Sequence, residues 1–190
     1  MAHPSGVALP GHRAPAVGLE APFEMLVACH ERVQRSLSLL GRLQQHLHDQ
    51  GLDEDARQAA RDVLRYFDLA APLHHQDEEL HVFPPLLAGP DATLHAVVRQ
   101  LQQDHLRMEQ AWAQARVVLQ GVADGTPAAW QPLTPTQTAQ LDQFASFYGQ
   151  HIQMEEGIVY PAALAVVQGE ALQAMSRDMA HRRGAKVPAR

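Results

Sequence analysis

Residues 74 to 84 read HHQDEELHVFP, and residues 151 to 161 repeat them as HIQMEEGIVYP, 77 positions on and without a gap. His74/His151, Gln76/Gln153, Glu78/Glu155, Glu79/Glu156, Val82/Val159 and Pro84/Pro161 are identical, and Phe83/Tyr160 is a conservative match. In each copy a histidine stands four residues before a glutamate. On an α-helix of about 3.6 residues per turn that interval sets both side chains on one face, one turn apart. One such face can hold a metal ion, and two of them opposed can hold a pair. The fold must therefore bring two distant helices together.

Helical periodicity fills the chain around the two copies. Phe23, Leu26, Val27, His30, Val33, Leu37 and Leu40 form one apolar stripe with a histidine inside it, and Gly51 stops that helix. Asp53 caps a second helix with the stripe Val63, Phe67, Ala70, His74 and Glu78. Pro72 should kink or loosen it before His74, and Pro84-Pro85 should end it. Asp91 caps a third helix carrying Leu94, Val98, Leu101, His105, Met108, Glu109 and Trp112, which runs out near Gly121 to Gly125. Thr134, Pro135 and Gln137 supply the N-cap, N1 proline and capping-box partner of a fourth, with the stripe Leu141, Phe144, Tyr148, His151 and Glu155. Pro161 should bend or terminate it, and a shorter helix covers roughly 162 to 181. No segment alternates as a strand does. The expected fold is all-α, an up-down-up-down antiparallel four-helix bundle over residues 21–185 with a short extra C-terminal helix, preceded by a flexible arm over 1–20.

Composition narrows the function. A formal charge of −6 disfavours nucleic acid or an anionic membrane as partner, and no apolar run reaches the roughly 18 residues that span a bilayer. The first residues lack the basic start and continuous apolar core of a signal peptide, so the expected location is cytoplasmic. A homodimer stays open. Cys29, the single cysteine, rules out an intrachain disulfide or a multi-cysteine metal site and reads as a small buried apolar residue. The 12 histidines are more than packing calls for.

Each of the four helices carries one histidine in its apolar stripe: His30, His74, His105 and His151. Two of them are followed at i+4 by a stripe glutamate, Glu78 and Glu155, and buried carboxylates are costly unless paired or bound to cations. Imidazole with carboxylate suits iron, manganese or zinc. The expected arrangement is His30 and His74 on one ion, His105 and His151 on the other, with Glu78 and Glu155 as bridges. Glu109, four residues after His105, either completes the second ion's shell or is a solvated partner of nearby charges. His75, Glu79 and Glu156 lie one position round, about 100° away, and should face outward or support the ligands from behind.

With its two HxxxE segments, trailing FP and YP, and helix-borne histidines, the chain resembles the hemerythrin-like HHE cation-binding proteins over about residues 22 to 165. The resemblance implies a non-haem di-iron site between four helices, oxo- or hydroxo-bridged, with an open position for dioxygen, nitric oxide or peroxide. Its ligands would fall on His30, His74, Glu78, His105, His151 and Glu155. Oxygen-carrying members have a second histidine one turn after the helix-three ligand, where Glu109 stands here, and a final His and Asp five apart, where His151 and Glu155 are four apart. In this the chain is closer to the branch linked to iron-sulfur cluster repair, although the cysteine-bearing N-terminal segment of those proteins has no counterpart in these residues. Carboxylate in place of imidazole favours Fe(III), so a poor oxygen carrier is expected. The implied role is sensing, scavenging or stress response; the alternative is an iron donor or a peroxide-consuming enzyme. A ferritin-like site would need two ExxH motifs, and only Glu78-xx-His81 fits; a metal-free helical interaction module would need none of this pattern.

Overall fold

The computed structural model describes residues 21–185, so the expected arm over 1–20 lies outside the described residues. Every regular element among the described residues is helical. Helix α1 spans Pro22–Asp49, with Pro22 in the first turn where its missing N–H costs nothing. Gly51, at φ 80°, turns the chain into α2, Glu54–Asp77. The Asp53 carboxylate accepts from the Ala56 N–H at 2.8 Å, the cap expected there. Helix α4, Ala92–Asp124, starts on Asp91, whose side chain accepts from the Thr93 and Leu94 amides. Helix α5, Pro135–Ser146, opens with the full Thr134–Gln137 capping box, and after a break at Phe147 the chain resumes as α6, Tyr148–Met154. All of these signals are local, and all act as local chemistry dictates.

The prolines behave differently from the sequence expectation. Pro72 is carried inside a continuous α2. Pro84-Pro85 does not end the helix: residues Glu78–Val82 widen into one π turn, and the chain continues as α3, Phe83–Leu87. The second copy does the same, with a π turn over Glu155–Val159 leading into α7, Tyr160–Val166. In both, the backbone bond spans five residues, Phe83 N–H to Glu78 C=O and Tyr160 N–H to Glu155 C=O. A proline ring clashes with the carbonyl four residues back in an α-helix, and a wider turn just before it relieves the clash. The expected helix over 162 to 181 is also two pieces. Gly169, at φ 56°, lets the axis turn by 119° between α7 and α8, Glu170–Arg182.

Two apolar clusters fill the interior, one at each end. Leu40, Leu43, Val63, Phe67, Leu119 and Phe144 belong to the first; Leu26, Phe83, Val98, Val159, Met175 and Met179 belong to the second, which α8 closes. Between them lies a polar layer that includes buried His30, His74, Glu78, His105, His151 and Glu155. Cys29 is buried in the second cluster, as the apolar reading expected, and burial raises its thiol pKa. No single described helix is long and apolar enough to cross a membrane.

Helix α8 is held by charge as well as by packing. Asp77 is fully buried and meets Arg182 Nη2 and Arg183 Nη2, each at 2.6 Å. His81 and Asp178 pair beside them at 2.7 Å. Asp77 thereby anchors the C-terminal helix.

Candidate metal centre

Helices α1, α2, α4 and α6 deliver His30, His74, His105 and His151 to the layer, and the Nε2 atoms of these four turn toward the same two carboxylates. His30 Nε2 stands 3.0 Å from His74 Nε2 and 3.1 Å from Glu155 Oε2. His151 Nε2 is 2.9 Å from Glu155 Oε1, and His105 Nε2 is 3.8 Å from that oxygen. Glu78 is split in the same way, with Oε1 3.6 Å from His74 Nε2 and Oε2 3.4 Å from His105 Nε2. Each glutamate thus points one oxygen at the His30/His74 side and the other at the His105/His151 side.

Hydrogen bonding does not explain this convergence. His105 Nε2, His151 Nε2, Glu78 Oε2 and both oxygens of Glu155 are buried without a hydrogen-bond partner, although nitrogen and oxygen lie close. Two donors bound at about 2.1 Å to one ion at right angles stand about 3 Å apart, which is the separation that recurs here. Orphaned buried donors of this kind are costly in a folded protein, and a cation removes the cost. Within 4.8 Å of one another lie ligand atoms of His30, His74, Glu78 and Glu155 in one group, and of His75, His105 and His151 in another. The residues present fit a metal pair.

The protonation of the layer without metal points the same way. Burial, aided by the charge of Glu155, pushes Glu78 up to about 8. Burial would raise Glu155 too, but the imidazoles of His105, His151 and His30 outweigh it and hold the carboxyl well below its usual range. Burial opposes a charge on His105, yet contact with Glu155, Glu78 and Glu79 drives its pKa up to about 11. His30 is raised as well, against burial, by Glu155 and Glu156. His74 falls well below the ordinary value through burial and the nearby His30 charge. Protons here occupy places that cations would take.

The model of the hemerythrin HHE cation-binding domain matches residues 21–163. This chain belongs to the hemerythrin HHE cation-binding family. An uncharacterized protein of Haemophilus influenzae is similar to it, 28 % identical over 165 residues that cover 87 % of this chain and 91 % of that one. The HHE family binds cations, and the His/Glu groups described above are where this member can do so.

Not every residue singled out in the sequence sits in the centre. Glu109 is exposed on α4 and belongs to neither group of donors. His75, expected to face outward or to stand behind the ligands, instead joins His105 and His151, its ring stacked on that of His105 with centroids 4.0 Å apart. The imidazole that Glu109 was thought to replace is thus offered from α2. Glu156 and Glu79 sit behind two of the layer's histidines: Glu156 contacts His30 Nδ1 at 2.8 Å and Glu79 contacts His105 Nδ1 at 3.0 Å.

Tyr160 was read only as the match of Phe83. One π turn beyond each glutamate, these two rings stack on histidines of other helices, Phe83 on His105 at 5.7 Å and Tyr160 on His30 at 5.6 Å. The difference is the hydroxyl. Tyr160 donates to Glu78 Oε1 and lies 3.2 Å from His30 Nε2, so the His30/His74 side has a phenol in hydrogen-bond contact. The Phe/Tyr mismatch in the repeat was the signal for this asymmetry.

Proposed function

We propose that this HHE protein is a non-haem di-iron protein that binds or reacts with a small molecule, dioxygen, nitric oxide or peroxide, in sensing, scavenging or stress response. The carrying observation is that both buried glutamates straddle the layer, each with one oxygen toward His30/His74 and one toward His105/His151. That supports Glu78 and Glu155 as bridges between two ions, with His30 and His74 on one and His105, His151 and His75 on the other. The accompanying topology is the up-down-up-down four-helix bundle, working in the cytoplasm without a nucleic-acid or membrane partner.

When bound, the ion pair supplies a Lewis-acidic and redox-active position for the small molecule. The chain's own residues do the rest. Glu156 and Glu79 orient the His30 and His105 rings by holding their Nδ1 atoms. Apolar clusters above and below the layer exclude bulk water. Tyr160 holds a proton at its hydroxyl beside Glu78 Oε1, and burial keeps it there by raising its pKa well above 10. The test is anaerobic addition of nitric oxide, dioxygen or hydrogen peroxide to the ferrous protein. A saturable absorption change, lost in His151→Ala, is expected; an unchanged spectrum with all three overturns the reading.

A further inference from the structure

A cavity of about 530 Å³ opens between α2 and α4 and reaches the His75 and His105 rings. Dioxygen, nitric oxide or hydrogen peroxide needs a small fraction of that space, since a water molecule occupies about 30 Å³ of liquid. The volume is that of a site for an organic molecule, about 300 to 1,000 Å³. Its walls agree. Phe67, Met108, Trp112 and Tyr148 form an aromatic and apolar face, with Phe67 and Trp112 ring centroids 5.2 Å apart.

Six of the thirteen lining residues are polar: His75, Gln76, Glu79, Gln102, His105 and Glu109. Glu79 and Gln102 lie near His75 and are tied to each other at 2.8 Å, and exposed Glu109 also lines the wall. No lysine or arginine lines the cavity among the described residues, so away from the histidine end its walls offer no cationic side chain to an anionic group. A ligand that fits these walls is apolar through most of its length and presents a polar oxygen to the histidine end.

Resting on the peroxide arm of the proposed function, we infer that this slot admits organic hydroperoxides, with the apolar group against Trp112 and Phe67 and the O–O bond toward His75 and His105. Cleaving that bond takes two electrons and two protons and leaves an alcohol and water. A thiol- or flavin-class reductant provides the electrons, and solvent provides the protons. Glu109 thereby gains a place in the protein as part of a substrate wall.

The iron-loaded full chain tests this with cumyl alcohol, the redox-inert product of cumene hydroperoxide, in calorimetry. Leu106→Trp and Glu109→Trp fill the slot from α4, while Val117→Trp, 72 % exposed and off the cavity, controls for the substitution. Expected is saturable binding of the alcohol in the wild type and Val117→Trp, weakened at least about tenfold in both wall variants with iron content retained. Cumene hydroperoxide should also be consumed faster than hydrogen peroxide at equal concentration, an advantage the wall variants lose. No saturable binding, or binding and preference unchanged in both wall variants, overturns the slot. If the alcohol binds and the wall variants abolish that binding, but neither peroxide is consumed, the slot stands and the peroxide-reactive reading of the metal site falls.

Discussion

Glu79 and Glu156 occupy equivalent positions in the two copies and act alike, each holding the Nδ1 of a histidine whose Nε2 faces the centre. Such a partner fixes ring orientation and raises ligand basicity, and its loss costs about 10- to 100-fold in metal affinity. Glu156→Ala should therefore weaken the ion on the His30 side and Glu79→Ala the ion on the His105 side, as competition with a chromophoric chelator would show. Equal affinities in wild type and both variants would contradict these roles. Metal uptake must also displace protons from Glu78, at about 8, from His105, at about 11, and from His30. These folded values are raised, so protons compete more strongly as pH falls, and iron affinity should climb by at least about tenfold from pH 6 to pH 8 with protons released on binding. A pH-independent affinity would count against it. The four stripe histidines and two glutamates were legible because i, i+3 and i+4 spacing is enough to place a side chain on a face. His75 was not, since one residue along a helix turns the side chain by about 100°, and only the packing of α4 against α2 shows that this direction also reaches His105.

At the scale of elements, the π turns explain why the two copies end in FP and YP. Glu78 and Phe83 are separated by one π turn, as are Glu155 and Tyr160, and all four are buried. The aromatic residue is thereby kept under the layer, where an α-helical count of five would rotate it away. Reading the prolines as helix stops failed because that rule assumes an unbroken α-helical ladder before them. The caps at Asp53, Asp91 and Thr134 were legible because a cap is decided by three or four neighbouring residues. The docking of α8 was not, because Asp77 and Arg183 are 106 residues apart and nothing local links a basic tail to a buried aspartate. Removing both guanidinium groups leaves that aspartate buried and unpaired. Arg182→Ala with Arg183→Ala should cost about 3 kcal/mol in denaturant unfolding and leave iron content intact. An unaltered midpoint would show that packing alone holds α8.

In the whole molecule, a polar layer that would be unfavourable by itself is enclosed between two apolar clusters drawn from both ends of the bundle. Glu155, His105 Nε2 and His151 Nε2 are left buried without a hydrogen-bond partner, and cations are the natural partners of those atoms. The helical class and the metal-binding face could be read from one repeated segment. The cavity could not, because its walls come from side chains of separate helices, and no sequence interval records the space between them. A pair of ions bridged by Glu78 and Glu155 is the centre of the proposed function. Metal analysis of the chain purified from iron-supplemented cells, with its absorption spectrum, tests this most directly. The account predicts about two irons per chain with an oxo-bridge charge-transfer band, and loss of both in Glu155→Ala. A single ion per chain, zinc alone, or full iron binding by Glu155→Ala would contradict it.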